Sequence, residues 1–402
     1  MTIASGVAKQ LRYKRESSWG VLPGATSAQL LRRVQSTLDL AKATYQSAEI
    51  RKDRQVADFR HGVRSVGGNI SGELSPGTYA DFFRAAMRQA FQALVLTTAA
   101  DIVVSTAAPY ISRSTGNFLT DGRKVGDLVR FSGFTTGTNM NGRNFVISAV
   151  TSTSMNGYFL DGTSIATNGT GDTVVITQAG KKSYVPSTGH LDDSFTVEHW
   201  FPEINQSEQY TGCKLATLGI ALPPTGIATI DMAFAGKDRV TGTAEYYTSP
   251  TDETSTGLVA AVNGLILVDG AAIGTLTGLS FQVAQNLQMQ PVVGSDLHPG
   301  IFPGRVTVGG QLSAFFEDGT LRDAFDDEAE VSIVAAMMVS EAAQADGLVF
   351  VFPRVKLGGA AKDDGEKGLI QTIPFTALKD VNGGSGTDSD ATTMSVQDTQ
   401  AA

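Results

Sequence analysis

The feature that most constrains this chain is that part of it occurs twice. Val66-Gly67-Gly68-Asn69-Ile70-Ser71 returns as Val308-Gly309-Gly310-Gln311-Leu312-Ser313, 242 positions later. Without a gap, Gly77-Thr78, Asp81 and Phe83 then fall on Gly319-Thr320, Asp323 and Phe325. Self-similarity at a fixed offset marks a repeated structural unit. Further on, Gly226-Ile227 matches Gly368-Leu369 and Lys237-Asp238 matches Lys379-Asp380, at an offset of 142. The offsets differ by 100, so the first copy holds about that many extra residues between Phe83 and Gly226.

The texture of 99–185 shows where the extra residues lie. Asp121-Gly122, Asn141-Gly142, Asn156-Gly157, Asp161-Gly162 and Asn168-Gly169 separate short runs such as Asn144-Phe145-Val146-Ile147. Asn-Gly and Asp-Gly between alternating apolar residues are hairpin signals. The stretch reads as a small all-β domain inserted into the first copy. The expected organisation is an N-terminal arm (1–27), copy 1 (28–98 and 186–240), the insertion (99–185), an exposed connector (241–257), copy 2 (258–381) and a disordered Gly/Ser/Thr/Asp-rich tail (382–402).

Each copy repeats one local grammar. Strands are expected at Gly62–Leu74, Phe195–Trp200, Lys214–Leu222 and Gly226–Phe234, and in copy 2 at Gly304–Phe316, Val331–Val339, Leu348–Val355 and Gly368–Phe375. Pro223-Pro224 and Pro353 are expected to close their strands, since proline cannot continue a central ladder. Thr78 and Thr320, each three residues before Asp, resemble capping boxes. The stripe Tyr79, Phe82, Phe83, Ala86, Met87, Ala90 predicts a helix packed on its own sheet.

Composition limits the function. The 402 residues carry 31 Lys/Arg against 40 Asp/Glu, a net charge of −9, which argues against a basic nucleic-acid-binding surface. The charge is uneven: residues 1–95 hold 14 Lys/Arg and 7 Asp/Glu, so the rest is strongly acidic. The single cysteine, Cys213, excludes an intramolecular disulfide framework and a Cys-rich zinc site. No window has the apolar length of a membrane span or a signal-peptide core, which leads us to expect synthesis in a cytoplasm.

Chemistry is hard to assemble from these residues. His61, His190, His199 and His298 share no metal-ligand spacing and read as surface or loop residues. Asp192-Asp193 reads as a solvated turn. The acidic run Asp323 to Glu330 lacks the ligand alternation of a calcium loop and reads as a solvated helix face. No Walker-type loop or dinucleotide fingerprint occurs. Cys213 reads as a buried small hydrophobe. No catalytic residue, metal or cofactor is expected. The basic patch Arg51, Lys52, Arg54, with Arg60 and Arg64, reads as a contact to an acidic neighbouring subunit.

Together, the Gly67–Leu74 run before an aromatic helix, Gly212-Cys213-Lys214 before a proline-closed strand, and Gly309–Glu317 resemble the major tail tube proteins of long-tailed (siphovirus-like) bacteriophages. The resemblance implies a mainly β fold, a β-sandwich or barrel with short flanking helices, here as two tandem tail-tube-like copies. It also implies a virion protein made in the host bacterial cytoplasm and self-assembled into stacked rings. Their inner strands would form one barrel through which genomic DNA passes without specific binding. Partners would then be the chain itself and other tail proteins at the tube ends. Two copies per chain suggest a trimeric ring of pseudo-six-fold symmetry rather than a true hexamer. An acidic or neutral lining would keep DNA from sticking. Asp39 and Asp231 are the candidate lumen residues, and Trp19, Leu22 and Pro23 mark the candidate inter-ring arm. The alternative is a β binding module that reads a glycan or receptor, which would need exposed insertion aromatics such as Tyr158 and Phe159.

Overall fold

The computed structural model describes residues 3–363, 366 and 368–401. The fold is mainly β, with two α-helices among the described residues. Copy 1 contains β1 (Gln10–Arg15), β2 (Asp39–Gln46), β3 (Phe59–Glu73), α1 (Ala80–Met87), β4 (Phe195–Phe201), β5 (Gln206–Leu222), β6 (Thr229–Gly236) and β7 (Asp238–Gly242). Copy 2 contains β8 (Gly264–Val268), β9 (Leu276–Ala284), β10 (Thr307–Phe315), α2 (Thr320–Asp326), β11 (Glu330–Met338), β12 (Gly347–Leu357), β13 (Ile370–Ala377) and β14 (Ser395–Asp398).

Strand for strand, the two sets pair alike. In copy 1, β2-β3-β6 and the C-terminal half of β5 form one sheet, while β1-β4, the N-terminal half of β5 and β7 form a second. In copy 2, β9-β10-β13 with the end of β12, and β8-β11-β12-β14, repeat both sheets. Even the irregularity is shared. Phe195 faces Cys213 and Val197 faces Tyr210 across a register shift, as Val331 faces Val355 and Ile333 faces Phe352. A bulge that bends one strand between two sheets is a specific device, and its recurrence ties the copies together.

The shared Gly-Gly pair has a steric cause. A Cβ on Gly68 would collide with the Thr37 carbonyl, and one on Gly310 would collide with the Ser280 carbonyl, so the neighbouring strand can approach only glycine. Alternate residues, among them Ile70, Met232, Leu218, Phe281, Leu312 and Phe375, point into one core between the sheets.

A separate seven-stranded sheet, from Leu96–Ala99 to Val174–Gln178, holds its own core around Phe131, Phe145 and Ile176. It leans on copy 2. Leu128, Val146 and Ala179 pack against Leu267, Val334 and Val351 of β8, β11 and β12. Buried Lys182 bridges Asp127 at 2.7 Å and Asp390 at 2.6 Å, and Gln397 bonds the backbone of Leu128 and Ala179. The equivalent face of copy 1 is polar. There Glu198 accepts the amides of Tyr246 and Tyr247, while Arg12 bonds Glu245 at 2.7 Å and the Tyr247 carbonyl.

Several expectations need correction. Residues 382–402 include β14, whose Val396 is fully buried, because copy 2 needs the counterpart of β7. Residues 1–27 include β1, with Leu11 and Tyr13 buried. The connector is anchored through buried Tyr247. Lys181–Tyr184, assigned to the insertion, pairs with β14. Pro353 lies inside β12, opposite the register shift where a ladder amide is not required. Neither threonine caps a helix: Thr78 bonds Ser75 and Thr254, Tyr79 holds the cap position of α1, and Thr320 is already helical. Ala90 lies beyond α1 and is exposed, while the rest of its stripe is buried.

Candidate functional site

The inner strands of both copies join within the chain. Thr217–Leu222 of β5 pairs antiparallel with Ala284–Leu279 of β9, so β2-β3-β6-β5-β9-β10-β13-β12 is one continuous eight-stranded sheet. One face is the core. The other lies toward solvent and is built of small and polar side chains.

Register shows how that second face is laid out. Ser71, Asp231, Gly219, Gln282, Gly309 and Thr376 stand side by side across six strands. The neighbouring row is Glu73, Thr229, Ala221, Ser280, Gln311, Pro374; on the other side run Asn69, Ala233, Thr217, Ala284, Thr307. As far as β13 these rows carry no Lys or Arg; the first continues onto β12 at Lys356, opposite Thr376. Asp231 accepts from Asn69 Nδ2 at 3.1 Å, and Asp39, opposite Gly67, accepts from Arg239 Nη1 at 2.8 Å. Both candidate aspartates therefore lie on this face. Of the copy-2 positions, Gln311 could have been found by applying the duplication offset to Asn69.

The structure separates the other candidates. Arg51, Lys52 and Arg54 are exposed in the loop between β2 and β3, with Asp53 3.6 Å from Arg51. Arg64, farther along β3, pairs instead with Asp238 at 3.4 Å and Asp296 at 3.2 Å. Trp19, Leu22 and Pro23 fold onto their own chain: Trp19 Nε1 donates to the Gly212 carbonyl at 3.0 Å with Lys237 over its ring, and the Pro23 carbonyl accepts from Tyr246 at 2.7 Å.

Buried titratable groups are structural. His199 is a core residue, contrary to the surface reading; its Nε2 lies 2.9 Å from Ser36 Oγ, and burial with Lys9 and Arg33 nearby pushes its pKa down to about 3. Burial raises the Cys213 thiol well above its usual range. Asp192 is exposed, as expected, but binds Lys214 at 2.6 Å, while Asp193 is largely covered and binds Arg84 at 2.8 Å. Among the described residues no group of three His, Cys, Asp or Glu is placed to hold a metal, and no helix is long and apolar enough to cross a membrane. In the insertion, Phe159 is buried and Tyr158 reaches toward the Gly270 carbonyl, so these aromatics form no open binding platform.

A search of the curated proteins returns no match. The family model described as phage tail tube protein matches residues 6–377. That span takes in nearly the whole chain, from before β1 to the end of β13, and this chain therefore belongs to the phage tail tube protein family.

Proposed function

We propose that three chains close into a ring of pseudo-six-fold symmetry, that rings stack into the tail tube, and that the polar sheet face, whose three rows across β3 to β13 hold no Lys or Arg, lines the passage for ejected DNA. The observation that carries this is the seam between β5 and β9. Copy 1 is joined to copy 2 through strand edges whose equivalents at the two ends of the chain, β2 and Ala361–Lys362, remain unpaired on their outer sides among the described residues. Open edges invite another strand, and closing the sheet removes them. Repeating the internal seam would set Asp39 of one chain beside Ala361 of the next. Rows without Lys or Arg give DNA phosphates few partners, so the polyanion slides.

Electron microscopy of the purified chain, averaged along any filaments, tests the proposal. Hollow stacked layers with three outward domains each are expected. Six such domains per layer would refute the trimer, and a monomer at high concentration would refute assembly.

A further inference from the structure

Copy 2 repeats the strand pairing of copy 1 beneath its helix but not the side chains. Below α1, the rings of Tyr13, Phe82 and Phe195 pack with centroids 4.8–6.1 Å apart. Tyr79, at the start of the same helix, lies over Gly72 so closely that a Cβ there would meet its hydroxyl, which donates to the Arg32 carbonyl at 3.1 Å. The 242-residue offset and the matching registers put Leu321, Ala324, Val331 and Val268 at the places of Tyr79, Phe82, Phe195 and Tyr13. Four aromatic side chains become three aliphatic ones and an alanine.

The missing volume is left open. A cavity of about 360 Å³ lies under α2, and all four of these residues line it. An apolar cavity of about 150 Å³ already holds one benzene ring. The space is therefore large enough for a ring and a short substituent.

A fifth exchange gives the cavity a polar group. Fully buried Ile230 faces Gly72 in copy 1, and Gln371 holds that place in copy 2, facing Ala314. Gln371 is 2 % exposed and lines the cavity, and its Nε2 has no hydrogen-bond partner among the described residues. A buried amide donor left unmet is costly, and an acceptor on a ligand removes that cost. At the mouth stand Asp269, Glu317 and Asp318, all exposed, with no Lys or Arg among the described lining residues. Such a rim favours neutral or cationic groups over anions.

We propose that the cavity under α2 binds a free small molecule made of one phenol-like ring with a neutral or cationic tail. The ring takes the space that aromatic side chains occupy in copy 1, its oxygen accepts from the Gln371 amide, and the tail leaves past the acidic mouth. Every wall belongs to one chain, so the site needs no second copy and is independent of ring formation. In copy 1 the chain's own rings take the same space, which gives one site of this kind per chain.

The test titrates the full chain with tyramine, p-cresol, 4-hydroxyphenylacetate and toluene, reading binding by calorimetry and by the rise in melting temperature. In the wild type, p-cresol should bind about tenfold more tightly than toluene, the worth of one net hydrogen bond. Tyramine should bind more tightly than 4-hydroxyphenylacetate, whose carboxylate the acidic mouth repels. Ala324→Phe restores a copy-1 ring and should abolish binding of all four; Val331→Phe makes the same block from the sheet side, should the first variant not fold. Gln371→Ile, which installs the copy-1 residue, should keep ring binding and bring p-cresol down to the level of toluene. Absence of binding by p-cresol and tyramine, p-cresol no tighter than toluene in the wild type, or undiminished binding in a folded ring-restoring variant overturns the proposal.

Discussion

His199 offers a quantitative test of how the second sheet of copy 1 is held. Its ring lies edge-on to Tyr210 at 4.9 Å and bonds Ser36, while Lys9 and Arg33 disfavour a further positive charge. The Glu208 carboxylate, 4.0 Å from Nδ1, is already engaged by Tyr210 and Arg239. Because the folded pKa of about 3 lies below the unfolded value of 6.5, the unfolded chain binds the proton first. Stability from the neutral ring is therefore complete above pH 6.5 and falls as the pH drops toward 3. At about 1.4 kcal/mol per unit, moving to pH 4.5 costs roughly 2.5–3 kcal/mol. His199→Phe keeps a ring against Tyr210 and cannot titrate. Urea unfolding of both chains at pH 7.5 and 4.5 isolates the effect, since all other titrations cancel in the difference. The stability gap between wild type and variant should shift by that amount in favour of the variant at the lower pH. An unchanged gap refutes the reasoning.

Two further outcomes follow from side chains already placed. Lys182→Met leaves Asp127 and Asp390 buried without their shared cation and should cost about 3–5 kcal/mol in urea unfolding, with the insertion and C-terminal strand becoming sensitive to protease; an effect under about 1 kcal/mol would contradict the bridge. Gln282→Lys sets a cation in the middle of the polar rows, so filter binding should show DNA retention with a salt slope of about −0.9 per phosphate contacted, against none for the wild type; equal binding by both chains would refute the neutral-lining argument.

The duplication was legible because its cause is local: Gly68 and Gly310 stand where a neighbouring carbonyl leaves no space, and no other residue substitutes for them. In the insertion, Asp121-Gly122, Asn141-Gly142 and Asp161-Gly162 do mark turns, whereas Asn156-Gly157 lies inside the strand Ser154–Phe159. What escaped was set by distant partners. Ser395–Asp398 has the composition of a loose tail, yet Gln397 is buried by bonds to Leu128 and Ala179, more than 200 positions away. His199 looks like any strand histidine until Ser36 and Tyr210 close around it. Asp39 and Asp231 could be put on a strand by alternation, but which face each occupied depended on cross-strand register, which no single window of sequence contains.

The seam between β5 and β9 also bears on how quickly such a ring could form. In the proposed ring every copy would meet its neighbour through the same kind of edge, with half of these meetings inside one polypeptide. A tether of this length holds its two ends at an effective concentration in the millimolar range, far above that of free subunits. A ring of six copies would then require three encounters between chains instead of six. Each chain arrives with one seam already made and its register set, a template for the two edges still open.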